Sequence, residues 1–143
     1  MKAGHFTPKG FHSVTPYLIV EDAAGLLDFV QAAFGARVVS RMDGDDGRIK
    51  HAQIQIGDSM IEVGQSSQEW QAAPCALHLY VADTDDAYQR ALAAGATSLY
   101  EPDDKFYGDR EAGVTDVCGN RWFLATHQED LTEAEMLRRM AAQ

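Results

Sequence analysis

A chain of 143 residues, 45% hydrophobic and 24% charged, is long enough for one domain with a sizeable core and has neither a disordered nor a fibrous composition. Its 22 acidic residues against 12 basic ones give a net charge of −10, which disfavours nucleic acid and anionic membranes as partners and attracts cations. No apolar run approaches the roughly 18 residues of a bilayer span, residues 1–16 lack the apolar core of a secretory signal, and Cys75 and Cys118 show no CxxC spacing. A soluble cytoplasmic protein with free thiols is expected.

Residues 1–11 are polar, carry Pro8 and Gly10 and show no periodicity, so they read as an arm of little intrinsic structure. Alternation over Val14–Glu21 predicts a first strand, with Pro16 tolerated near its start. Asp22 is placed to cap a helix whose Leu26, Leu27, Val30, Ala33 and Phe34 share one face, and Gly35 is placed to end it. Three strands follow at Arg37–Met42, Ile49–Ile56 and Ser59–Val63, separated by an Asp/Gly turn at 43–47 and by Gly57-Asp58. The polar stretch 65–74, interrupted by Trp70, reads as a hinge.

The stretch 15–36 then returns in degraded form at 76–96. Val20 and Asp22 reappear as Val81 and Asp83, and Gly35-Ala36 as Gly95-Ala96 after one deletion. Leu77–Val81 is the expected strand, Asp83 or Thr84 the cap of a helix reaching Ala94, and Thr97–Tyr100, Gly113–Asp116 and Trp122–Ala125 the remaining strands. Gly119-Asn120 forms a turn before the last of them. Thr132 and Glu135 form a capping-box sequence ahead of a final helix with an apolar stripe at Met136, Leu137 and Met140, expected to brace the fold.

The doubled order, together with the segments DGRIKHAQIQIGDSMIEV and YGDREAGVTDVCGNRWFLATHQEDLTEAEMLRR, resembles the vicinal oxygen chelate superfamily of glyoxalases, bleomycin resistance proteins and extradiol dioxygenases, and within it the PhnB-like branch. The resemblance implies an α+β fold of two βαβββ modules, 13–64 and 75–127, in one domain. Their curled mixed sheets would surround a cavity, a C-terminal helix at 130–143 would follow, and two chains would associate as a homodimer. It also implies that the four metal-ligand positions of metal-dependent members fall on Thr15, Glu62, Ala76 and Phe123. Only Glu62 is a good ligand, and one carboxylate does not hold a catalytic ion that needs three protein ligands. No cofactor is therefore expected. At Val117, family members commonly have proline, a turn difference without functional consequence.

Strand alternation supplies a candidate site. Ala52, Ile54, Ile56, Ile61 and Val63 share the face expected under the helices, leaving His51, Gln53, Gln55, Met60 and Glu62 on the other. Tyr17, His78, Tyr80, Arg121 and Phe123 join this second group, and Trp70 and Tyr107 lie in loops able to lid a cavity. Aromatic walls with a few polar groups suit a small-molecule pocket. The ligand-binding set is thus Tyr17, His51, Gln53, Glu62, Trp70, His78, Tyr80, Tyr107, Arg121 and Phe123. Asp109 and Arg110 read as an internal ion pair or as turn residues, His127 as structural or exposed, and His5 and His12 as arm residues without a role.

The function expected from these features is sequestration of a cationic or aromatic small molecule in a dimeric cavity without the usual metal. The alternative is an enzyme of the lyase, isomerase or dioxygenase kind. It would use either a displaced divalent-metal site at His51, Glu62 and His78, or Glu62 or a histidine as a proton-transfer base.

Overall fold

The computed structural model describes residues 1–143 and divides into two compact units, Met1–Pro74 and Cys75–Gln143, the break falling at the end of the expected hinge. Each unit carries a four-stranded mixed sheet in a βαβββ order. The first contains β1 (Tyr17–Val20), α1 (Ala23–Phe34), β2 (Arg37–Asp43), β3 (Ile49–Ile56) and β4 (Ser59–Gln65), in the sheet order β1-β4-β3-β2. The second contains β5 (Ala76–Tyr80), α2 (Thr84–Ala93), β6 (Thr97–Asp104), β7 (Asp109–Thr115) and β8 (Arg121–His127), in the order β5-β8-β7-β6, followed by α3 (Glu133–Ala141). In each sheet the first and last strands pair in parallel and the others antiparallel. No helix is long and apolar enough to cross a membrane.

The helices form where their caps and stripes require. Asp22 accepts the Gly25 amide at 2.9 Å, and Gly35, at φ +66°, closes α1 in the left-handed conformation that glycine adopts without steric cost. Asp83 caps α2 through the Asp86 amide at 3.0 Å. Leu26, Leu27, Phe29, Val30 and Ala33 are buried with Leu18, Val20, Ala52, Ile54, Ile61 and Val63, and this layer is the core of the first unit. In the second unit, Ala87, Tyr88 and Ala91 of α2 are buried with Ala112, Val114, Trp122 and Leu124. Each sheet therefore gives one face to a helix, and its other face is the place to look for a site.

Several boundaries differ from the sequence reading. β1 begins at Tyr17 because Pro16 has no amide to donate; its carbonyl instead accepts from the Glu62 amide at 2.9 Å. Thr15 lies outside the strand and donates to the His12 carbonyl at 3.2 Å. β6 and β7 run well past their expected ends, so Asp109, Arg110 and Glu111 are strand residues. The expected C-terminal brace is not formed. The Thr132 cap holds α3, but the helix has no buried residue, and Leu137 and Met140 are exposed to solvent.

Candidate functional site

The polar face of the first sheet places Tyr17 opposite Glu62 and His51 opposite Gly64. His51 Nε2 lies 3.3 Å from a Glu62 carboxylate oxygen, and the Tyr17 and His51 rings sit 5.7 Å apart. Gly64 is bare for a reason of space: a Cβ there would lie 2.9 Å from the Tyr17 ring. Gln53 sits across the ladder from Glu62 on the same face.

Beside this pair opens a groove of about 880 Å³, lined by Tyr17, Ile19, Met42 and Trp70 as apolar walls and by Asp43, Asp45, Lys50, His51 and Gln65 among the polar ones. Local structure fixes its rim. The Trp70 amide donates to the Ser67 hydroxyl at 3.0 Å, the Trp70 carbonyl accepts the Ser67 amide at 2.8 Å, and the Ala73 amide reaches the Ile19 carbonyl at 3.2 Å along the free edge of β1. Tyr17, Met42 and Trp70 are 48%, 61% and 63% exposed, so large apolar side chains face the groove rather than the core.

The second sheet gathers a different set. His78 pairs with Phe123 across the ladder, and its Nε2 lies 3.3 Å from Glu111 on β7. The contact runs diagonally across β8, where Phe123 faces His78 and Ala125 faces Glu111. The buried Glu111 carboxylate also accepts the hydroxyls of Tyr107, at 2.8 Å, and Tyr100. Burial first, then these bonds to the carboxylate, push both phenols well above the usual tyrosine range, which keeps them protonated donors. Gly113 leaves space for the Tyr100 ring, since a Cβ there would meet it at 2.5 Å.

Asp109, two residues before Glu111 on the same face, is also buried and lies 2.7 Å from His127 Nδ1; His127 Nε2 lies 2.7 Å from Asp130. The bond to Asp130, then the one to Asp109, hold the His127 imidazolium above the ordinary histidine range. Tyr80, whose hydroxyl is 3.5 Å from Asp109, is raised chiefly by that charge. Tyr80, Tyr107, Asp109, His127 and Met136 are among the residues around a smaller pocket of about 290 Å³.

The expected residues therefore fall into two groups. Tyr17, His51, Gln53, Glu62 and Trp70 lie at or beside the groove of the first unit. His78, Tyr80, Tyr107 and Phe123 meet on the second sheet, where Phe123 stacks with Tyr100 at 6.4 Å, while Arg121 is exposed at the start of β8. Of the displaced ligand set, His51 and Glu62 meet in the first unit, and His78 meets Glu111 in the second. Asp109 and Arg110 do not pair with each other, because neighbours on a strand point to opposite faces; Arg110 reaches Asp85 and Asp104 at 2.8 and 3.2 Å. His127 is a partner of Asp109; Asp109 and Glu111 join the site because β7 starts at Asp109 rather than Gly113, and Tyr100, on the expected strand β6, joins it through Glu111. The signal was present in Asp109-x-Glu111-x-Gly113-x-Thr115, alternating with Ala112 and Val114.

The inherited metal positions do not fit an ion. Ala76 and Phe123 have no donor atoms, Thr15 lies outside the strand with its hydroxyl on a carbonyl, and Glu62 stands alone with His51.

The model for the Glyoxalase/Bleomycin resistance protein/Dioxygenase superfamily matches residues 3–124. An uncharacterized protein of Mycobacterium bovis is 31% identical over 142 residues, covering 92% of this chain and 93% of its own length. Among solved structures, TioX from Micromonospora sp. ML1 superposes with a TM-score of 0.68 at 24% identity over 85% of this chain and all of its own. A glyoxalase-related enzyme from Fulvimarina pelagi gives 0.66 at 19% identity, covering 80% of this chain and 87% of that one. At these identities the structural likeness concerns the fold.

Proposed function

Since the chain belongs to the glyoxalase/bleomycin resistance protein/dioxygenase superfamily, we propose that it is a binding protein that sequesters a small, planar aromatic ligand carrying positive charge, in the groove of the first unit. One observation carries the reading: three large apolar side chains, Tyr17, Met42 and Trp70, are held exposed around the same 880 Å³ groove. Burying such surface against a ligand is favourable, and indole and phenol faces attract cations. Asp43 and Asp45 on the lining outnumber Lys50, and the net charge of −10 favours encounter with cations. The proposal includes association of two chains and placement in the PhnB-like branch, the latter supported by the hairpin and tail segments quoted above.

The test is calorimetric titration of the full chain with the cationic dye proflavine, with 1-naphthalenesulfonate as the anionic counterpart, followed in parallel by tryptophan emission. Trp122 is sealed in the core, so a ligand-dependent change reports Trp70. Saturable binding of the cation, weakened about tenfold or more by Trp70→Ala, is expected. Equal binding by the variant, or preference for the anion, refutes the reading. Sedimentation at micromolar concentration checks the dimer.

A further inference from the structure

We propose that the second unit binds a divalent first-row transition ion, of the zinc kind, through His78, Asp109 and Glu111, at a place different from the family's eroded ligand positions. One donor atom from each of the three side chains lies within 4.8 Å of the other two. Metal–ligand bonds near 2.0–2.2 Å place neighbouring ligand atoms roughly 3–4 Å apart, so small side-chain rotations bring all three onto one ion. The backbone fixes the approach. Asp109 and Glu111 project from one face of β7, and His78 reaches Glu111 from β5 across the intervening β8.

Electrostatics favours a cation at this point. Asp109 and Glu111 are 5% and 7% exposed, and two buried carboxylates two residues apart repel each other in a medium of low dielectric. No lysine or arginine pairs with either, and the cation they meet is the His127 imidazolium, 2.7 Å from Asp109. Arg110 bonds Asp85 and Asp104, and Lys105 lies over the Tyr100 ring, 3.8 Å from Asp103. What surrounds the two acids is a shell of orienting donors, Tyr100 and Tyr107 on Glu111 and His127 on Asp109, with Asp130 accepting from the far side of His127. Carboxylates that hold metals are aimed by outer hydrogen bonds of this sort. One imidazole with two carboxylates suits zinc, manganese or ferrous ions, and three protein ligands leave a coordination position open. The 290 Å³ pocket at Tyr80, Tyr107, Asp109 and His127 supplies the way in.

The experiment equilibrates chelator-treated full-length protein with Zn²⁺ and measures bound metal by elemental analysis and affinity by calorimetry, with Co²⁺ absorption as the coordination signature. One equivalent per chain is expected, with Glu111→Gln and His78→Ala each weakening binding at least tenfold and Glu62→Gln and His51→Ala leaving it unchanged. His78 is the exposed member of the set, so its alanine variant tests the site even if the buried Glu111 substitution impairs folding. Absence of stoichiometric metal in the wild-type chain, or binding indifferent to His78→Ala, overturns the proposal.

Discussion

His51 and Glu111 occupy equivalent register positions in their two sheets: His51 faces Gly64 and Glu111 faces Ala125, each partner two residues past the one that pairs with the opening strand at Tyr17 or His78. Each half thus has a histidine–carboxylate contact of 3.3 Å, carried on strands that do not correspond. In the first unit the base is on β3 and the acid on β4; in the second the acid is on β7 and the base on β5. The first pair stands beside a wide apolar groove, whereas the second is enclosed by phenols and a further carboxylate.

Filling Gly113 tests the fit of that enclosure. A methyl at this position meets the Tyr100 ring at 2.5 Å, and the ring is tied to Glu111 by its hydroxyl. Gly113→Ala is expected to destabilise the chain by about 1–3 kcal/mol in urea unfolding. Removing the ring in Tyr100→Ala,Gly113→Ala should make the double variant more stable than the sum of the single changes allows.

Asp116 is the stability centre of the turn before β8. Its buried carboxylate accepts the Cys118 and Asn120 amides at 2.8 and 3.0 Å, the Asn120 side chain at 3.0 Å and the Trp122 indole at 2.8 Å. Asp116→Ala strands several buried donors and should cost about 3 kcal/mol or more. The fully exposed Asp130 provides the contrast: Asp130→Ala should move the denaturant midpoint far less than Asp116→Ala does. Denaturant midpoints at neutral pH compare the two.

Gln65 ties the end of β4 to the start of α1 by donating to the Glu21 carbonyl at 2.6 Å and accepting the Ala23 amide at 3.0 Å. Gln65→Ala is expected to lower stability by about 1–2 kcal/mol. Hydrogen exchange should show the loss concentrated at the first turn of α1.

Acid should loosen the attachment of α2 to β7. Asp85 in the first turn of α2 is held below the usual carboxylate range, first by its hydrogen bond from Arg110 and then by the charge of that guanidinium. A depressed folded-state value gives stability that is present above the unfolded value, roughly 3.9, and lost as pH falls through the folded one. The wild-type chain should therefore lose stability on acidification below about pH 4, and Asp85→Asn should flatten that part of the curve. Thermal melts from pH 6 to pH 2 make the comparison.

The hairpin of β3 and β4 was legible because strict alternation and a glycine turn leave one register, and the buried Ala52, Ile54, Ile56, Ile61 and Val63 match it. Both α1 and α2 were legible through their aspartate caps. The start of β7 was not, since Asp109, Arg110 and Glu111 in a row resemble a solvated loop. Burial of Glu111 depends on Tyr100, Tyr107 and His78, partners that only the folded sheet brings near. The apolar stripe of α3 misled for the opposite reason: periodicity shows that a face exists, not that anything covers it.

The different placing of acid and base also constrains how such a chain can diverge. Recombination between the halves at a point inside a module, joining β1 and β3 to β8 for example, would leave His51 without a carboxylate, and the reciprocal product would crowd Glu62 and Glu111 into one sheet. Shuffling whole modules keeps each contact matched. Each contact therefore survives only where the two strands that carry it, β3 with β4 or β5 with β7, move together.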